Sequence, residues 1–192
     1  MKKKFYKHPS SIVETDKIGD ETKIWAFTHI LPNVSIGTNC NICDNVFIEK
    51  NVIIGNGVTI KNGVSIWEGV TVEDNVFIGP NAVFTNDKFP RSARSATAIR
   101  HYKNKVWLEP TSLQYGCSIG ANATILCGIS IGKFAMVGAG AVVRCCVDDF
   151  SIVAGIPAQP IGYACRCGKR VDNPGDHCSE DCFFNHQNTA IP

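Results

Sequence analysis

From Ile12 onward an aliphatic residue returns at every sixth position: Ile12, Ile18, Ile24, Ile30, Ile36, Ile42, Ile48, Ile54, Ile60, Ile66, Val72 and Ile78, closing on Phe84. Four residues after each stands a second small or branched residue, among them Val34, Cys40, Val46, Val52, Val58, Val64, Val70, Val76 and Ala82. A helix needs apolar spacings of three and four. A strict six, with Gly, Asn and Asp between, selects instead short strands joined by tight corners. Three hexads close a triangular coil of about 18 residues, and coils stack at the strand spacing of about 4.8 Å. The series resumes in a shifted phase at Trp107, Leu113, Ile119, Ile125, Ile131, Val137 and Val143. Its small partners are Thr111, Cys117, Ala123, Ile129, Ala135, Ala141 and Val147. The fold expected is all-β: one parallel β-helix of nearly seven coils, interrupted by an extruded loop at about 85–106. Gly19, Gly37, Gly55, Gly79, Gly120, Gly132 and Gly138 are expected at corners whose backbone angles exclude other residues. The period alone does not set the handedness.

Composition removes several functions. Nineteen basic and 17 acidic residues leave a net charge of +2, too balanced for a protein that binds nucleic acid through its phosphates. The basic start, Lys2-Lys3-Lys4, is followed by no apolar signal-peptide core, and no apolar run is long enough to span a membrane. A cytoplasmic protein is expected, with its ten cysteines as thiols or metal ligands rather than disulfides.

The motif Ile54-Gly55-Asn56-Gly57-Val58-Thr59 resembles the hexapeptide-repeat acyltransferases over residues 12–160. Three further segments narrow the resemblance: Ile24-Trp25-Ala26-Phe27-Thr28-His29-Ile30, then Asn41-Ile42-Cys43-Asp44-Asn45-Val46-Phe47-Ile48-Glu49, and the run from Gly79 to Ser92. They are similar to the nucleotide-linked 3-amino-sugar N-acetyltransferases. That resemblance implies a left-handed parallel β-helix in residues 1–160, assembled as a homotrimer with sites between subunits. It implies transfer of an acetyl group from acetyl-CoA to the C3 amine of a nucleotide-linked amino sugar, for surface-polysaccharide synthesis. The segments Asn41–Glu49 and Thr85–Ser92 look closer to the dTDP-3-amino-3,6-dideoxyhexose branch than to the UDP-3-amino-glucuronate branch.

Acyl transfer to an amine needs two substrates held at attack distance and a destination for one proton. An insertion leaving a regular prism is a place to bind a substrate. Its start, Thr85-Asn86-Asp87-Lys88-Phe89-Pro90-Arg91, combines an amide, two cations and an aromatic, suited to a sugar diphosphate and a base. For Asn86 the resemblance implies contact with the sugar amine; a turn-capping Asn is the plain alternative. His29, near a corner, is a candidate base, and Glu49 a candidate substrate ligand. The segments Val137-Gly138-Ala139-Gly140 and Ile152–Ala158 match the coenzyme A portion of the wider family, which implicates Gly138, Ala139, Gly140, Pro157 and Ala158. The three residues at 138–140 are expected to leave strand backbone open to the pantetheine amides, and Arg144 to meet coenzyme A phosphates. Cys40 and Cys117 occupy inward positions and read as core; Cys145-Cys146 has no paired His, so an acyl-enzyme is disfavoured.

Residues 161–192 abandon the hexad and carry Cys165, Cys167, Cys178 and Cys182 around an Asn173-Pro174-Gly175 turn. Four thiols can close a structural zinc site, with His177 or His186 as a possible substitute ligand. Two other functions share this fold, a zinc hydratase and a non-catalytic scaffold. The first needs about three converging histidines, whereas only His29 and His101 lie in or beside the solenoid; the second is opposed by the Phe84–Ser92 match.

Overall fold

The computed structural model describes residues 5–96, 98–179 and 182. Among them the expected solenoid is present: most strands are two residues long, and a single short helix spans Ile99–Tyr102. The strands form three sheets, one per face of the prism, of ten, seven and five strands. Up to Ser151–Ala154 the pairing within each face is parallel and joins residues one coil apart, as in Asn41 with Thr59 and Ile42 with Ile60. The ten-stranded sheet holds eight parallel strands, from Tyr6–Lys7 to Ser151–Ala154. The solenoid is therefore about one coil longer than the nearly seven expected, because rungs without the hexad signature extend it at both ends.

The ladder is buried as its period requires. Ile18, Ile24, Ile30, Ile42, Ile48, Ile60, Ile66, Ile78, Leu113, Ile119 and Ile125 are fully enclosed, and so are the small partners from Val34 to Ala82. Each enclosed Ile or Leu contributes roughly 1.5–3 kcal/mol of apolar burial. Two members of the expected series do not belong to it. Ile12 is 56% exposed, because the first coil pairs Ile12 with His29 and Val13 with Ile30, one residue out of phase with the rungs above. Val13 packs against the core in its place. Trp107 lies in a turn of the insertion, its ring 5.6 Å from that of Tyr102, and the solenoid restarts at Thr111–Leu113.

The corner glycines have a different cause from the one expected. None of the seven adopts a positive φ; that conformation falls to Asn33, Asn39, Asn45 and Asn51, with φ of 64°, 54°, 58° and 64°, and their counterparts on other coils. What the seven avoid is a side chain between stacked coils. A Cβ on Gly37 would lie 2.6 Å from the Gly55 carbonyl carbon, and one on Gly120 would lie 2.5 Å from Ala139 N.

The last strands reverse direction. Gln159–Ala164 runs antiparallel to Ser151–Ala154, and Arg170–Val171 runs antiparallel to Gln159–Ala164. The chain from Gln159 to Val171 thus continues the ten-stranded sheet.

Candidate functional site

The chain leaves the prism after the strand Val83–Phe84 and returns at Thr111. Between these points a few polar contacts hold it. Leu108 bridges back to Asp87, and Glu109 N–H donates to the Asn86 carbonyl at 3.0 Å. Lys105 Nζ sits 2.7 and 2.8 Å from the two Glu68 carboxylate oxygens, tying the far side of the insertion to the coil below. Glu68 also accepts from Asn51 Nδ2 at 2.7 Å, while its own N–H donates to Glu49 Oε2 at 2.8 Å. Burial pushes the Glu68 carboxyl upward. The hydrogen bonds from Lys105 and Asn51 and the charges of Lys105 and Lys50 outweigh it and hold the group below the ordinary carboxylate range.

Asn86 sits on top of this network. Its Nδ2 donates to the Glu68 carbonyl at 3.3 Å, which turns the amide over the corner column that runs from Glu49 through Glu68. Asp87 is similarly fixed: burial would raise its carboxyl, but Tyr102 Oη at 2.8 Å, the Phe89 N–H at 2.9 Å and nearby His101 lower it. Tyr102 Oη also lies 2.7 Å from the Arg91 carbonyl and accepts the Arg91 N–H at 2.8 Å, so one phenol organises the whole 87–91 turn.

The expected substrate residues divide between two hollows. Thr85, Asp87, Lys88 and Pro90 line a cleft of about 340 Å³ together with Glu109, Leu126, Cys127, Gly128, Ile129 and Arg144. Phe89, 70% exposed, and Arg91 face a neighbouring hollow with Ala98 and His101. Thr85 Oγ1 accepts the Cys127 N–H at 2.9 Å, which sets the floor of the first cleft. Arg144, expected at coenzyme A phosphates, thus stands in the same cleft as Lys88. Beyond it, Cys145 and Cys146 line a second depression with Ala158, Gln159 and Pro160. The 155–158 turn is anchored on the strand Val142–Val143, Val142 N–H donating to the Gly155 carbonyl at 3.0 Å and Ala158 N–H to the Val142 carbonyl at 2.8 Å. The 138–140 backbone is not the open edge expected. Gly138 N–H donates to Val153 and Gly140 N–H to Ala121, on the coils to either side, and the Gly138 carbonyl accepts from Ala141 within its own corner.

The two expected catalytic residues are separated. His29 lies on the strand His29–Ile30, three strand spacings from Val83–Phe84 in the seven-stranded sheet, roughly 14 Å at the usual interval. Its Nε2 is 2.8 Å from Glu14 Oε1, and its ring meets Phe47 edge-on at 5.8 Å. Within one chain His29 is out of reach of an amine held by Asn86. Glu49 is a support two rungs below, with Oε2 committed to Glu68. The residues that sequence reading missed, Glu68, Tyr102, Lys105, Glu109 and Cys127, act through the folding back of the insertion. Glu68 alone carried a signal, as a charged residue that ends up buried inside the hexad array.

In the tail, Cys165, Cys167, Cys178 and Cys182 bring their sulfurs within 4.8 Å of one another; His177 is not among them and His186 lies outside the described residues. Cys40 and Cys117 are buried in the core as expected, and burial pushes the Cys117 thiol up to about 12, far from a nucleophile's range.

Residues 17–50 and 51–86 match the bacterial transferase hexapeptide (six repeats) family, and residues 110–145 match the hexapeptide repeat of succinyl-transferase. The chain is 52% identical over 164 residues to dTDP-3-amino-3,6-dideoxy-alpha-D-galactopyranose 3-N-acetyltransferase of Aneurinibacillus thermoaerophilus, covering 85% of this chain and 81% of that one. Among solved structures it is similar to a point mutant of AntD, an N-acyltransferase from Bacillus cereus in complex with dTDP and coenzyme A. The TM-score is 0.62 at 25% identity, over 80% of this chain and 83% of that one. GDP-perosamine N-acetyl transferase from Caulobacter crescentus shares the fold, with a TM-score of 0.58 at 20% identity over 83% of this chain; the match spans 57% of that longer chain.

Proposed function

This chain belongs to the hexapeptide-repeat transferases, in the branch of the dTDP-3-amino-sugar 3-N-acetyltransferases, and from that premise we propose how its own residues perform the reaction. The enzyme is an acetyl-CoA-dependent N-acetyltransferase of a nucleotide-linked amino sugar. The favoured acceptor is the C3 amine of dTDP-3-amino-3,6-dideoxygalactose, by likeness to the Aneurinibacillus enzyme.

The observation that carries this reading is the cleft joining the start of the insertion to Arg144. Its geometry suits a ternary complex. Lys88 and Arg144 offer two positive charges to the diphosphates of the two substrates, with Thr85, Asp87 and Pro90 shaping the walls and Phe89 and Arg91 receiving the base beyond them. The acyl donor enters along the 143–147 corner past Pro157 and Ala158. Asn86 accepts a hydrogen bond from the sugar amine through Oδ1, since its Nδ2 is taken by Glu68. This turns the nitrogen lone pair toward the thioester carbonyl.

The amine nitrogen forms a bond to the acetyl carbon, and the carbon–sulfur bond breaks. The departing thiolate takes the proton, its conjugate acid having a pKa well above that of the zwitterionic tetrahedral ammonium. No acyl-enzyme is needed, because a neutral amine is already a competent nucleophile. The flat prism faces pack side against side in a homotrimer, with sites shared between subunits. The product feeds surface-polysaccharide synthesis in the cytoplasm.

The test is to mix the full chain with acetyl-CoA and dTDP-3-amino-3,6-dideoxygalactose, follow the free thiol of coenzyme A, and identify the N-acetylated sugar by mass. Release no faster than without the amine would refute the activity. Faster turnover of UDP-3-amino-glucuronate would instead move the enzyme to that branch. Parallel initial-rate lines or a trapped acetyl-cysteine would exclude direct attack, and a monomer in sedimentation at micromolar concentration would exclude the shared site.

A further inference from the structure

Residues 161–182 have almost no core of their own. Among those described, only Ala164, Cys165 and Cys182 are buried, and two of these three are cysteines. The segment nevertheless follows a defined path. Cys165 N–H donates to the Lys169 carbonyl and Gly168 N–H to the Cys165 carbonyl, both at 2.8 Å. Gly168, at φ 88°, supplies a left-handed turn that residues with a side chain rarely adopt. This tight loop places Cys165 and Cys167 side by side. The Asn173–Asp176 turn, closed by Asn173 Nδ2 to Asp176 Oδ2 at 3.0 Å, returns the chain so that Cys178 and Cys182 approach from the other side. Cys165 Sγ is 3.6 Å from Cys182 Sγ, and Cys167 Sγ is 3.4 Å from Cys178 Sγ.

Four sulfurs bound to one tetrahedral zinc at about 2.3 Å stand about 3.8 Å apart. Both of these separations lie close below that value, and all four sulfurs are within 4.8 Å of one another. Arg166, whose guanidinium lies 5.5 Å from the centre of the Phe134 ring, brings a positive charge beside the cluster and joins the loop to the solenoid.

We propose that Cys165, Cys167, Cys178 and Cys182 hold one zinc ion as a closed tetrathiolate site that fastens the reversed end of the ten-stranded sheet onto the prism. Four S–H bonds lose their protons to solvent as four Zn–S bonds form. All four positions are filled by protein, so the site is structural and stands apart from the acyl-transfer cleft. It fixes the turn between Gln159–Ala164 and Arg170–Val171, the last pairing of the sheet.

The experiment uses the full chain, purified without chelator and without a metal-binding tag. Elemental analysis is expected to give about one zinc per chain, released in step with mercurial titration of the four thiols. The pair Cys167→Ser and Cys178→Ser, at the more exposed rim of the cluster, is expected to reduce zinc below about a tenth per chain. The solenoid should remain folded by circular dichroism. The pair Cys145→Ser and Cys146→Ser should keep its zinc. Wild-type protein without metal would overturn the proposal, and so would a mass four protons lighter from two disulfides. Iron in place of zinc, or zinc retained in the Cys167→Ser, Cys178→Ser protein, would overturn it equally.

Discussion

Between Ile78 and Asp87 the chain passes from one way of holding a residue in place to another. Ile78 is buried in a column whose every member repeats the same contact one coil above and one below, so its position is fixed many times over. Asp87 is held by one phenol, one amide and one strand bridge, none of which recurs elsewhere. The solenoid is redundant in its side chains but intolerant wherever backbones touch. The insertion accepts changes of volume but depends on single polar bonds. Stability therefore resides in the first region and positioning in the second, and substitutions should divide accordingly.

The strongest way to break this contrast is Gly120→Val. Its branched side chain would begin 2.5 Å from Ala139 N and 2.6 Å from the Val137 carbonyl oxygen, between two rungs that cannot separate locally. A loss of about 4 kcal/mol or more is expected, read as a collapse of soluble yield or melting temperature. A variant that melts like wild type would show that the coils do not stack as tightly as described. Next comes Asn86→Ala. One directional hydrogen bond is worth roughly 1 to 3 kcal/mol in a closed site, so kcat/KM should fall about 5- to 150-fold while the melting temperature stays within about a degree. A fall in stability of comparable size would erase the division between the two regions.

Lys105→Met probes the tie between them. The Lys105 side chain is 52% exposed and that of Glu68 only 10%, so the loss should be about 1 kcal/mol, short of the 3–5 of a fully buried pair. Because the insertion is loosened and not unfolded, the KM for the nucleotide sugar should rise more than kcat falls. The reverse split would assign Lys105 to the chemistry. His29→Ala should cost less than about 3-fold in kcat/KM, given the three strand spacings that separate it from the Asn86 end of Val83–Phe84; a loss near 100-fold would place it in a partner's site. Thr111→Val should be the mildest, and favourable. Thr22 and Thr28, at equivalent inward positions, donate to the Gly37 and Cys43 carbonyls, whereas Thr111 Oγ1 is buried without a partner among the described residues. Removing it should stabilise the chain by up to about 1 kcal/mol, measured by denaturant unfolding.

The same contrast explains what was legible in the amino-acid sequence. A ladder repeats, so Ile18 to Ile78 and Leu113 to Val143 announce their own burial. Ile12 misleads because the first coil is one residue shorter, and that residue turns Ile12 outward. Trp107 misleads by falling in phase six positions before Leu113 while lying in the insertion. The distance between His29 and Asn86 was readable in principle, since counting rungs from His29 through Phe47 and Ser65 to Val83 already separates them. The grip of Lys105 on Glu68 was not, since no periodicity relates two residues brought together by the return of an irregular loop. Corner glycines were recognised but given the wrong reason, because a requirement for φ and a requirement for bare backbone select the same residue.

A parallel solenoid has no natural length. Its uppermost rung displays the same peptide groups that the rung below has just satisfied, and a second molecule could add there as readily as the next coil did. The antiparallel turn at Gln159–Ala164 gives that edge the wrong polarity for another rung of its kind. On this face Gln159–Ala164 thereby takes the place that the next parallel rung would fill, and without it the peptide groups of Ser151–Ala154 would stand open to a second molecule.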